Sequence, residues 1–120
     1  MPESIGNLEI WKQAVKLVKT VYSFPMPGSL MSSSVWSPRG SVRPCLVPAN
    51  IVQSVGRGSR REIARFGRVA LGSLYELDTL LVMATQLGYR AEADLRKLQT
   101  EIATLAKGIS NFVRYQKIRT

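Results

Sequence analysis

The chain has 120 residues, with 17 Lys and Arg against 8 Asp and Glu for a formal charge of +9. This size fits one domain over residues 1–120 that buries a core without staples. A single cysteine, Cys45, excludes an internal disulfide. The absence of histidine removes the commonest general base, metal ligand and thiol activator, so no catalytic residue, metal or cofactor is expected. The longest strongly apolar run, LLVMA at 80–84, is too short to cross a bilayer. The start, MPESIGNLEIWKQAVK, lacks the basic opening and unbroken apolar run of a signal peptide, so a soluble cytoplasmic protein is expected.

In chain order, Asn7 is placed to cap a first helix. Leu8, Trp11, Val15, Val18 and Tyr22 step by 3 and 4 and form an apolar stripe, which Ala14, Leu17 and Val21 widen. Lys12, Lys16 and Lys19 fall outside it. FPMPGS at 24–29 stops this helix, because proline cannot continue the ladder. Residues 26–58 mix Ser, Gly and Pro without a period, yet LVPANIVQSV at 46–55 is apolar enough to pack. Leu46, Val47, Ile51, Val52 and Val55 are its candidates for the core, and Pro48 should start or kink that short helix.

The third helix opens on SRRE, where Ser59 is the cap and Glu62 can complete a capping box. Ile63, Phe66, Ala70, Ser73, Leu77, Leu80, Ala84 and Leu87 follow at alternating spacings of 3 and 4. Gly88 is a left-handed terminator before Tyr89. The last helix is expected from about Ala91 to Tyr115, with Leu95, Leu98, Ile102, Leu105, Ile109 and Phe112 as its stripe. The short connection makes these two helices antiparallel neighbours. The fold expected is all-α, an antiparallel up-down-up-down four-helix bundle whose second helix is irregular or shortened.

The GRGS run at 56–59 lacks the lysine of a phosphate loop and a preceding strand, so it reads as a turn capped by Ser59. Arg57, Arg60, Arg61, Arg65 and Arg68 gather five positive charges beside it and are the candidate nucleic-acid contacts. Three of them, Arg61, Arg65 and Arg68, are spaced to line one outer face of the third helix, where RNA or DNA phosphates would give salt-dependent binding. No aromatic or amide side chain is interleaved to read bases. Further along, Leu71, Tyr75 and Val82 point away from the core stripe and are candidates for a contact with another copy of the chain. Glu76, beside the stripe, is the one acid placed to bond across a helix interface. No small-molecule substrate and no membrane partner is indicated.

These segments resemble a known family. LEIWKQAVKLVKTVYSFP at 8–25, VPANI at 47–51, GRGSRREIARF at 56–66 and ALGSLYELDTLLVMATQLGY at 70–89 are similar to the small proteins encoded in intervening sequences of bacterial 23S ribosomal RNA genes. That family is related in fold to the accessory variability determinants of diversity-generating retroelements, which bind nucleic acid and a reverse transcriptase. The resemblance implies a cytosolic antiparallel bundle that assembles into a pentameric ring. The chain departs from the family's pattern in two places. Gln53 and Ser54 replace an acidic residue and a glycine after PANI. VWSPRGSVRPCL at 35–46 stands where the family usually carries an amphipathic helix reading like GLxxQxRRAxxS. A run coding Gly-Leu-Glu-Ser-Gln, read one nucleotide late, yields Val-Trp-Ser-Pro-Arg, the residues at 35–39. A local frameshift across residues 26–46 is the expectation.

Overall fold

The computed structural model describes residues 8–23, 46–56, 59–88 and 91–118. The Asn7 cap, the 24–29 stop, the run up to Cys45, Arg57 and Tyr89 lie outside these residues. Among the described residues four helices follow in order: α1 (Glu9–Ser23), α2 (Leu46–Val55), α3 (Arg60–Gln86) and α4 (Glu92–Ile118). Among the described residues there is no strand. One core draws on all four helices, from Ile10, Leu17 and Val21 through Val47 and Ile51 to Leu74, Leu77, Leu98, Leu105 and Ile109. A 27-residue helix spans about 40 Å, so α3 and α4 set the long dimension of 46 Å.

The helix directions follow from paired residues. Arg60 bonds Gln116, and Asp78 bonds Gln99. As numbers rise along α3 they fall along α4, so the two are antiparallel. Ile10 lies against Gly108, while Gln13 and Lys16 share a cleft with Glu101 and Thr104. Therefore α1 also runs against α4.

Local chemistry accounts for the ends. Pro48 is the third residue of α2, within the first turn, where its missing N–H has no helical acceptor to lose. Ser59 sits in extended backbone (φ −114°, ψ 146°) and its hydroxyl accepts from the Glu62 amide at 3.1 Å, as the cap requires. The Glu62 carboxylate lies 3.8 Å from Arg65. Gly88, at φ 86°, ends the third helix in the left-handed region. The last helix runs to Ile118, past the expected Tyr115.

Two stripes sit rotated from their expected positions. On α3 the buried row is Ala64, Gly67, Ala70, Leu74, Leu77, Leu81 and Ala84. Phe66, Ser73 and Leu80 are flanking and half-buried, and Leu87 is 66% exposed. On α1 the buried row is Ile10, Ala14, Leu17 and Val21, while Trp11, Val15 and Val18 are half-buried and Tyr22 is exposed. The cause is the close seating of α4 on both neighbours. Gly67 admits Val113, and Gly108 admits Ile10. Each contact turns its helix so that the flank nearest α4 becomes core. The α4 stripe itself is as expected at Leu98, Ile102, Leu105 and Ile109.

Candidate nucleic-acid and self-association surfaces

The basic face of α3 is built from three exposed side chains, Arg61, Arg65 and Arg68. Arg65 stands 3.8 Å from Glu62, with both side chains open to solvent, so the pair is screened and holds little. Its guanidinium carbon also lies 5.7 Å from the Phe66 ring centre. Arg60 departs from the expected phosphate-facing set. It is half-buried, and its guanidinium donates to Gln116 Oε1 at 3.2 Å across the α3/α4 seam. This places Arg60 in the packing between helices, because its position continues the core row toward the amino end of α3. Arg57 lies outside the described residues.

Tertiary structure adds two cations that the α3 pattern could not supply. Arg114 of α4 shares a surface hollow with Arg68, and Lys107 lines the adjoining cavity of the groove between α3 and α4. A cavity of about 610 Å³ is lined by Tyr75, Asp78, Gln99, Lys107, Asn111 and Arg114, among others. A second hollow of about 300 Å³ shares Ser110 and Arg114 with it and brings in Arg68 and Leu71. The groove exists because α4 carries small residues, Ala103, Ala106 and Ser110, at spacings of 3 and 4 on the flank facing it. That row was readable in the sequence as a second stripe beside the leucines. At one end Gln99 donates to Asp78 Oδ1 at 3.2 Å. Among the described residues, Arg68, Lys107 and Arg114 have no carboxylate partner.

The residues expected at a subunit contact divide between settings. Tyr75 is 52% exposed and stands in the groove. Leu71 is packed against the core, and Val82 is half-buried. The opposite flank of α3 is more apolar: Val69, Met83 and Leu87 are 46%, 50% and 66% exposed. Leu80, half-buried, lies among them. Glu76 is exposed on this flank rather than bonded across an interface, because rotation of the core row toward α4 carried it outward. Among the described residues, the acid with a buried oxygen lacking a hydrogen-bond partner is Glu101 of α4, beside Lys16 and Gln13 in a cleft of about 200 Å³.

A family model described as 23S rRNA-intervening sequence protein matches residues 6–111. The chain belongs to this family. The match takes in α1, α2, α3 and most of α4, while Arg114 lies beyond it. Among curated proteins none matches the chain. No helix among the described residues is long and apolar enough to cross a membrane.

Proposed function

We propose that this family member is a non-enzymatic, cytosolic bundle that associates with its own copies and serves as a scaffold or binding module. The observation carrying this reading is the outer row of α3, where Val69, Met83 and Leu87 are each 46% or more exposed. Full burial of such a side chain contributes roughly 1.5–3 kcal/mol, and about half of that is still to be gained at each of these three. A closed ring needs two different patches on every subunit. The half-buried Trp11, Val15 and Val18 of α1, with Tyr22 beside them, supply the second. Five subunits are expected from the family resemblance alone.

Light scattering tests this reading. A mass that is a multiple of 13.3 kDa is expected, falling to the single-chain value when Met83→Glu and Leu87→Glu are combined, with helical content unchanged. A single-chain mass that persists at high concentration sinks self-association. A dimer or tetramer would reject the count of five and leave association standing.

A second reading is favoured by the exposed arginines of α3 and the basic groove beside them: an accessory factor that binds RNA or DNA. Affinity for RNA should fall steeply as salt rises, since each neutralised phosphate releases counterions. Changing Arg61, Arg65 and Arg68 together to Glu should abolish binding. Absence of binding at low salt would leave the scaffold reading alone.

A further inference from the structure

We propose that the α3/α4 groove is a site for a single-stranded stretch of nucleic acid, with a base stacked on Tyr75 and phosphates held by Arg68, Lys107 and Arg114. This rests on the nucleic-acid reading above and narrows its ligand. Tyr75 is a half-exposed aromatic residue, and it lines the cavity together with the small side chains Ala103, Ala106 and Ser110. A cavity lined by an aromatic residue and small side chains leaves room for a flat partner. Base stacking on such a ring is tolerant of sequence, because every base has a π-face.

Charge divides the groove along its length. Asp78 and Gln99 occupy one end, and Arg68 and Arg114 the other. Phosphate is repelled from the acid and drawn to the guanidinium groups, whereas a base edge finds donors and acceptors at the Asp78–Gln99 pair. Lys107 and Arg114 are seven residues apart on one helix, two turns or about 10.5 Å, which spaces the cations along the strand. Arg68 and Tyr75 have the same spacing on α3. In a duplex both faces of every interior base are covered by neighbours, so away from the ends Tyr75 has nothing to stack on. The groove therefore selects unpaired strands, although the outer arginines would attract either form.

The probe is a fluorescein-labelled 20-nucleotide RNA of mixed sequence without self-complementarity, compared by anisotropy at low salt with the duplex it forms with its full complement. The single strand should bind at least tenfold more tightly than the duplex. Tyr75→Ala should weaken single-strand binding about 5- to 150-fold and leave its salt dependence unchanged, while Tyr75→Phe keeps it. Arg68→Ala and Arg114→Ala should each lower the salt slope by about one. Equal binding of both forms, unaffected by Tyr75→Ala, overturns the groove while leaving nucleic-acid binding in place. Binding of neither form overturns both readings. Light scattering of Tyr75→Ala completes the test: an unchanged mass is expected, and dissociation would make Tyr75 a subunit contact and overturn the groove.

Discussion

Gly67 of α3 lies so close to Val113 of α4 that a Cβ at Gly67 would stand 2.6 Å from Val113 Cγ2. In an exposed helix interior, Gly→Ala gains about 0.8–1.0 kcal/mol. Here overpacking opposes that gain by about 1–3 kcal/mol, and because Val113 is branched at Cβ it yields little. Gly67→Ala should therefore lower the urea midpoint. Combined with Val113→Ala the loss should be partly relieved, a coupling of at least about 0.5 kcal/mol. A rise in midpoint for Gly67→Ala alone would mean that the helices are not this close.

The rotated core row of α3 separates two leucines that the spacing rule treats alike. Leu77 is fully buried and Leu87 is 66% exposed. Leu77→Ala should cost about 2–5 kcal/mol, and Leu87→Ala no more than about 0.5 kcal/mol in dilute protein. Chemical denaturation of the two variants side by side checks it. Comparable losses would put the core on the Phe66–Ser73–Leu80 flank.

Two serines hold the junction of α2 and α3 by different means. Ser54 is fully buried and its hydroxyl donates to the Ile63 carbonyl at 2.8 Å. Ser54→Ala should cost about 1 kcal/mol. Ser59→Ala removes the cap and should cost a similar amount, within about 0.5–2 kcal/mol. Hydrogen exchange distinguishes them, because loss of the Ser59 cap should speed exchange at the Glu62 amide before the middle of α3. Uniform acceleration along α3 in both variants would contradict this division.

The departure from the family pattern over residues 26–46 has its own test at the nucleotide level. Translating those codons in the alternative frame should restore an amphipathic helical period. If neither other frame carries one, the frameshift is rejected. A chain made as written places Pro38 and Pro44 where the family carries helix, at about 3 kcal/mol for each one interior to it.

Much of the architecture was legible locally. Ser59 was readable as a cap because its hydroxyl satisfies an amide three residues on, and Gly88 as a stop because only glycine takes φ 86° without strain. Pro48 was readable as a residue that starts or kinks α2, and it lies in the first turn, where its missing N–H has no helical acceptor to lose. These are contacts within a few residues of chain. Periodicity also made α1, α3 and α4 readable as helices, and with them the buried stripe of α4 at Leu98, Ile102, Leu105 and Ile109.

Packing between helices selected which part of a wide apolar arc is buried, and what lies across from it. On α3, Phe66–Ser73–Leu80 and Gly67–Leu74–Leu81 keep the same spacing and share Ala70, Leu77 and Ala84. Period alone cannot choose between them. Gly67 chooses, by letting Val113 approach, but a missing side chain carries no signal in a count of apolar residues. The groove was hidden for a related reason. Arg68 and Arg114 are 46 positions apart, and their common hollow depends on the antiparallel seating of two helices, a distance that no local spacing contains.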